Sequence, residues 1–205
     1  MKLHEPRIVI IDGPSGSGKS TVANIIANQL NGRAIQGDDY LLTAIREMPD
    51  EMKEIFGRYP DYEKNGFGCL FFDDQERTVK LERDLFEITR DTVESQLECE
   101  IEKSDQDVFV IDYITSNKFK HLWLNSNFRI MMQSDPKIRQ FLLAERIVRE
   151  KLTTQTDIPQ IREKAFAPLL KNAHKVNSYI YNNYDNSLRH DVGNTCMAIA
   201  DVIRL

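Results

Sequence analysis

The sequence predicts an α/β protein in which a parallel β-sheet lies between layers of helices. Short apolar runs typical of strands buried on both faces, such as residues 8–11 and 107–112, alternate along the chain with stretches of helical periodicity. A glycine-rich segment at residues 13–20 stands between the first apolar run and the first helical stretch. Alternation of this kind is typical of βαβ units, whose crossovers make successive strands parallel.

The glycine-rich segment predicts a loop around the phosphates of a nucleotide. It fits the pattern G-x-x-x-x-G-K-[ST] at every fixed position. Its glycines let the backbone turn tightly and bring bare amides close to an anion, and the positive end of the following helix favours negative charge. The candidate nucleotide-binding residues are Gly13, Pro14, Ser15, Gly16, Ser17, Gly18, Lys19, Ser20 and Thr21.

Two side chains of this pattern carry specific chemistry. The ammonium of Lys19 is expected to reach the β and γ phosphates, and the hydroxyl of Ser20 is expected to ligate Mg²⁺. The predicted ligands are therefore ATP and Mg²⁺. The helix that begins here presents one apolar stripe to the sheet, formed by Val22, Ile25, Ile26 and Leu30.

Two acidic residues follow the second predicted strand, residues 33–36. Asp38 and Asp39 lie just past the carboxyl end of that strand, at the edge of a parallel sheet where ligands bind. Either carboxylate could accept the proton of an attacking hydroxyl or hold water on Mg²⁺, and Asp38, being closer to the strand, is preferred. The alternative is that Asp39 caps a helix over residues 40–47.

Residues 48–103 predict a helical cap on the substrate side of the domain. The first part, to residue 74, is irregular and rich in aromatic residues, which either pack a small subdomain or stack on a ligand. Residues 76–103 contain neither glycine nor proline and keep close to helical spacing, which predicts one long helix or two joined helices.

The strand at residues 107–112 ends in a carboxylate. Asp112 is therefore a second candidate for the Mg²⁺ shell or the substrate, with turn formation as the competing use. A further strand is predicted at residues 128–132, and Pro136 is expected at the first position of the next helix.

A helical lid is predicted over residues 139–165. Arg146 and Arg149 are its candidate catalytic cations, which would close over the phosphates and neutralise charge during transfer. Arginines at polar helix positions, Arg139 among them, also serve solubility alone. A last strand at residues 176–181 and a final helix complete the expected domain, which spans residues 1–205.

Composition narrows the function classes. Hydrophobic residues make up 41% and charged residues 29%, and the net charge of −5 argues against a surface that coats nucleic acid. No apolar run approaches the length of a membrane span, and three isolated cysteines suggest neither a disulfide framework nor a zinc site. The expected location is the cytoplasm, and the oligomeric state is left open.

The order of these signals resembles the dephospho-coenzyme A kinase family, within the P-loop kinases of nucleoside-monophosphate-kinase-like fold. The segments that carry the resemblance are the loop at residues 13–20, Gln36-Gly37-Asp38, residues 68–77, the strand ending at Asp112, the helix with Arg146 and Arg149, and residues 179–182. The resemblance implies a three-layer fold with cap and lid, and transfer of the ATP γ phosphate to the ribose 3′-hydroxyl of dephospho-coenzyme A. Asp38 would be the base.

Other acceptors stay open at this stage. Residues 36–40 also resemble the Q-D-D-F segment of uridine- or nicotinamide-riboside-type nucleoside kinases, so a nucleoside is an alternative acceptor. A nucleotide-dependent regulatory ATPase without any acceptor is the second alternative. The sequence departs from the dephospho-coenzyme A kinase pattern on the acceptor side, where Tyr113 and Ile114 follow Asp112.

Overall fold

The computed structural model describes residues 5–48, 50, 53, 75–113, 118–149, 176–185 and 187–203. The strands and helices of this described part follow one another along the chain as β1 (Arg7–Asp12), α1 (Lys19–Gln29), β2 (Arg33–Gln36), α2 (Gly37–Glu47), α3 (Gln75–Lys103), β3 (Val108–Asp112), α4 (His121–Asn125), β4 (Phe128–Ser134), α5 (Pro136–Arg149), β5 (Ser178–Asn182) and α6 (Ser187–Ile203). The predicted alternation of strands and helices is confirmed.

The five described strands form one parallel sheet in the order β2-β3-β1-β4-β5. The central strand β1 is followed by a crossover to β2 on one side, whereas β4 and β5 lie on its other side. Such a reversal of direction opens a crevice at the carboxyl ends of the strands. The glycine-rich loop leaves β1 at this point, so the topology places it in the crevice.

One face of the sheet is covered by α1 and α6. The apolar stripe of α1 and the buried side of α6 pack on Val9 and Ile11 of β1 and on the β4 and β5 residues that face the same way. The members of the predicted stripe behave as expected, with Val22, Ile26 and Leu30 buried and Ile25 partly buried. This layer fixes the direction of α1 and therefore of the loop that precedes it.

The opposite face is covered by α2, α3 and α4, which pack on Ile8 and Ile10 of β1. The sheet thus lies between two helical layers, and successive residues of β1 are buried on alternate faces because strand side chains alternate. Residues 75–103 form the single long helix α3, which settles the choice between one helix and two.

The short helix α4 is held by a buried carboxylate of α3. Glu94 is only 5% exposed and accepts hydrogen bonds from the backbone N–H groups of Lys120, His121 and Leu122 at 3.1, 2.6 and 2.8 Å. These are N–H groups at the start of a helix, which have no partner within the helix itself, and a negative charge suits that end. The contact ties α4 to α3, which is 26 to 28 residues away along the chain.

The start of α2 differs from the prediction. The helix begins at Gly37, with Gln36 as the flanking residue and no side-chain capping bond, so Asp39 does not cap a helix that starts at Tyr40. Asp38 and Asp39 instead occupy the first helical turn, where the helix dipole favours carboxylates.

Parts of the predicted cap and lid lie outside the described residues. Of the cap at 48–103, the description covers Met48, Asp50, Lys53 and α3, and of the lid at 139–165 it covers the portion of α5 up to Arg149. None of the helices in the described part of the chain combines the length and the apolar character required to cross a bilayer.

Candidate nucleotide-binding site

The glycine-rich loop takes a conformation that its glycines permit. Gly13, Gly16 and Gly18 have φ angles of 146°, 77° and 89°, all in the region that side chains disfavour. A Cβ placed on Gly13 would lie 2.8 Å from both the Cβ and the carbonyl oxygen of Met132 on β4. The loop therefore packs against the sheet as closely as its backbone allows, and Asp12 steadies its start by accepting a hydrogen bond from the Gly13 N–H at 2.7 Å.

Lys19, the first residue of α1, points its ammonium back across the loop. The Nζ atom donates to the carbonyl oxygens of Gly13 at 2.9 Å and Pro14 at 3.1 Å. The cation is thus held over the inner curve of the loop by two neutral acceptors, and phosphate oxygens are stronger acceptors for an ammonium.

Ser20 and Asp112 meet beside the loop. The Ser20 hydroxyl donates to Oδ2 of Asp112 at 2.5 Å. Asp112 ends β3, paired with Ile11 of β1 on one side and with Gln36 of β2 on the other. Its other oxygen, Oδ1, is buried and has no hydrogen-bond partner among the described residues.

Opposing influences act on the pKa of Asp112. Burial raises the pKa of its carboxyl group, the Ser20 hydroxyl and the Lys19 ammonium lower it, and the charge of Asp38 raises it further. The described residues contain no group of three or more His, Cys, Asp or Glu side chains suited to a metal ion.

Asp38 lies exposed on the first turn of α2, two residues after Gln36, the neighbour of Asp112 in the sheet. Its charge reaches both Asp112 and Tyr113, since it raises the pKa of each. Tyr113 underlies this turn so closely that a Cβ on Gly37 would lie 2.4 Å from its ring. The fold thus aligns Asp38, Asp112 and Ser20 along the carboxyl edge of β2, β3 and β1.

The chain also matches a known protein family by its sequence. Residues 9–161, from β1 through the glycine-rich loop and into the segment after α5, match the family described as AAA domain. The chain belongs to this AAA domain family. No curated protein sequence is similar enough to count as a match.

Solved structures resemble this AAA domain over almost its whole length. TT1252 from Thermus thermophilus has a TM-score of 0.66 and 17% identity, covering 95% of this chain and 98% of that chain. Dephospho-CoA kinase from Campylobacter jejuni has a TM-score of 0.54 and 18% identity, covering 95% and 97%. Shikimate kinase from Bacteroides thetaiotaomicron has a TM-score of 0.53 and 14% identity, covering 97% and 99%. The predicted P-loop kinase fold is confirmed by these neighbours, and the identities support a likeness of fold.

Arg139 of α5 is buried beside the glycine-rich loop. Arg139 was expected at a polar position, but it is 4% exposed and donates to the hydroxyl and carbonyl oxygens of Ser134 at 2.8 and 3.2 Å. Its side-chain stem packs on the loop, since a Cβ on Gly16 would lie 3.0 Å from its Cγ. Arg146 and Arg149 belong to the helix, and their side chains lie outside the described residues, so their role in a lid stays a prediction.

Asn182, the last residue of β5, and Tyr184, just after it, contact the loop of the AAA domain and were not among the predicted site residues. The Asn182 side chain donates to the Ser17 carbonyl at 3.0 Å, and the Tyr184 hydroxyl donates to the Gly16 carbonyl. Both contacts join residues more than 160 positions apart. The available signal was a polar residue at the end of the last predicted strand, at the same sheet edge as the loop.

Proposed function

We propose that this AAA domain is an ATP-dependent kinase that transfers the γ phosphate to an alcohol on a small molecule. The observation that carries the proposal is the line of groups at the carboxyl edge of the sheet. Lys19 lies over the loop, the Ser20–Asp112 pair lies beside it, and Asp38 lies next to that pair. A hydrolytic switch needs the first two features, whereas an additional exposed carboxylate in this place suits a reaction with an acceptor.

Each group has a distinct role in this proposal. The loop amides and Lys19 would bind the β and γ phosphates, and Ser20 and Asp112 would hold Mg²⁺. The bound ion supplies charge neutralisation on the phosphate oxygens. The unpartnered Oδ1 of Asp112 and the hard-oxygen donor set fit that ion.

The transfer step follows from the position of Asp38. Its carboxylate would accept the proton of the acceptor hydroxyl, whose oxygen forms a bond to the γ phosphorus. The bond between that phosphorus and the β–γ bridging oxygen breaks, and its electron pair leaves on ADP. Arg146 and Arg149, the arginines of the predicted lid, would neutralise the charge of the transferred group.

The acceptor that the sequence resemblance favours is dephospho-coenzyme A, at its ribose 3′-hydroxyl. A nucleoside is the alternative, because residues 36–40 resemble the nucleoside kinases. Two of the structural neighbours are kinases of chemically different acceptors, one named for shikimate and the other for dephospho-CoA. Shikimate therefore belongs in the acceptor panel.

The test is ADP formation from Mg²⁺–ATP with dephospho-coenzyme A, with uridine, with nicotinamide riboside and with shikimate, each compared with ATP alone. Stimulation by one compound, with the phosphorylated product detected by mass spectrometry, identifies the acceptor. If nucleosides alone stimulate, the first choice of acceptor is wrong. Turnover that no acceptor raises above basal hydrolysis points instead to a regulatory ATPase.

Asp38→Asn tests the base directly, with Asp39→Asn as the matched control on the same helical turn. Loss of a general base is expected to lower the transfer rate by roughly 10²-fold or more while ATP affinity is kept. Asp39→Asn is expected to retain most of the activity. An unchanged rate in Asp38→Asn removes that residue from its role.

A further inference from the structure

Asn182, the last residue of β5, makes two hydrogen bonds that fix its orientation. Its Nδ2 donates to the carbonyl oxygen of Ser17 at 3.0 Å, and its Oδ1 accepts from the N–H of Tyr184 at 2.8 Å. If the amide were flipped, Oδ1 would face the Ser17 carbonyl oxygen and Nδ2 would face the Tyr184 N–H. The two contacts therefore determine which side-chain atom is the oxygen and which is the nitrogen. Asn182 is 3% exposed, and its bond to Ser17 is buried.

This contact governs the direction of a backbone amide in the phosphate loop. In a trans peptide the C=O and the following N–H point in opposite directions, and the chain contains no cis peptide among its described residues. Because Asn182 holds the Ser17 carbonyl toward β5, the N–H of Gly18 is turned away from β5. The N–H of Ser17 is already used in the loop turn, where it donates to the Pro14 carbonyl at 3.2 Å.

Two neighbouring features fit the same arrangement. The Tyr184 hydroxyl holds the preceding carbonyl, that of Gly16, so consecutive peptide groups of the loop are both gripped from β5. At Gly18 a Cβ would lie 2.7 Å from Nδ2 of Asn182, which means that glycine leaves the space that the amide occupies. The side chains of Asn182 and Tyr184 therefore fit the glycine pattern of the loop.

We propose that Asn182 is a positioning residue of the phosphate loop, which sets the Gly18 amide for a phosphate oxygen, with Tyr184 holding the adjacent peptide group. The inference rests on the proposed function in that the loop binds the polyphosphate of ATP. Asn182 acts through the backbone and does not touch the reacting atoms. Polyphosphate affinity therefore depends on the end of β5, which lies far from the loop in sequence.

The experiment measures binding of Mg²⁺–ATP and of inorganic tripolyphosphate by calorimetry, in the full chain. Asn182→Ala is compared with Asn177→Ala, a matched control just before the other end of β5. Asn177 also makes a side-chain hydrogen bond, since its Oδ1 accepts from the N–H of Arg129 at 2.8 Å. Tyr184→Phe removes the hydroxyl alone and keeps the backbone N–H that faces Asn182.

Asn182→Ala is expected to weaken both ligands about tenfold, the loss that corresponds to about 1.4 kcal/mol, and Tyr184→Phe about threefold. Asn177→Ala is expected to bind within twofold of the wild type. Wild-type affinity in Asn182→Ala overturns the inference, as does an equal loss in Asn182→Ala and Asn177→Ala, which would indicate general destabilisation. If Asn182→Ala does not fold, Tyr184→Phe decides by the same criterion. Failure of the wild-type chain to bind either ligand refutes the proposed function itself and the inference with it.

Discussion

Replacing Asp112 by asparagine is predicted to stabilise the ligand-free protein while weakening its binding of Mg²⁺–ATP. The carboxylate is 6% exposed, and burial raises its pKa even though Ser20 and Lys19 act in the opposite direction. The folded protein therefore pays a net penalty for the charge at neutral pH. A neutral amide of the same shape removes that penalty, and its oxygen can still accept the Ser20 hydroxyl.

The size of the effect follows from the contacts. Exchanging a charged acceptor for a neutral one weakens the bond from Ser20 by about 1 kcal/mol, because bonds to charged groups contribute about 1.5–3 and neutral ones about 1 kcal/mol. The raised pKa shows that the burial penalty exceeds what these interactions recover. The expected net result is an increase in the free energy of unfolding of Asp112→Asn relative to the wild type. Loss of a ligand carboxylate should lower Mg²⁺–ATP affinity by roughly 10²-fold.

The assay is urea denaturation without ligand, followed by calorimetry with Mg²⁺–ATP. Asp107→Asn is the matched control, since Asp107 is exposed and precedes the other end of the same strand. It should change neither quantity appreciably. A ligand-free Asp112→Asn protein that is less stable than the wild type by 1 kcal/mol or more would show that the carboxylate supports the fold. Unchanged Mg²⁺–ATP affinity would refute its role as a metal ligand.

Three further predictions concern charged groups. Lowering the pH should raise the stability of the wild type relative to Asp112→Asn, because the Asp112 carboxylate binds a proton more tightly in the folded state than in the unfolded state. The Mg²⁺–ATP affinity of the wild type should fall as the pH drops through the raised pKa of Asp112. Parallel pH profiles of the two proteins would contradict this prediction. Lys19→Met should lower ATP affinity about 10²-fold, because the Lys19 ammonium, which donates to the Gly13 and Pro14 carbonyls of the loop, is the cation expected to bind the phosphates; calorimetry that finds wild-type affinity would be the contrary result. Glu94→Gln should lower the free energy of unfolding by about 2 kcal/mol, because the amide lacks the charge that three N–H groups face and turns its NH₂ toward one of them. Glu98→Gln on the same helix is the control. Equal urea midpoints for the two variants would contradict the prediction.

Local patterns predicted the elements well where the signal depends on neighbouring residues. The apolar run before the glycine-rich loop became β1, and the residues of β2 were predicted at 33–36, where the structure has Arg33–Gln36. Pro136 is the first residue of α5 as expected, and Asp135 accepts a hydrogen bond from the Lys137 N–H at 2.7 Å. These features follow from side-chain periodicity and from the fixed φ of proline, which act over a few residues.

The features that the sequence did not predict concern burial and contacts between distant segments. Arg139 reads as a polar surface residue because arginine is mostly exposed, yet the loop packs on its stem and Ser134 binds its guanidinium. The short helix α4 was not predicted, since the carboxylate that holds it belongs to α3. Nothing in either segment alone carries this information.

The sequence by itself determined the phosphate loop with Lys19 and Ser20, because a strand, a run of glycines and a helix start are set by adjacent residues. The strand order was decided by the tertiary structure, and with it the meeting of Ser20 with Asp112 and of Ser17 with Asn182. Strand pairing depends on which helical faces bury the sheet, a property of the whole packed chain. The contacts of Asn182 and Tyr184 with the loop therefore depend on the register of all five described strands.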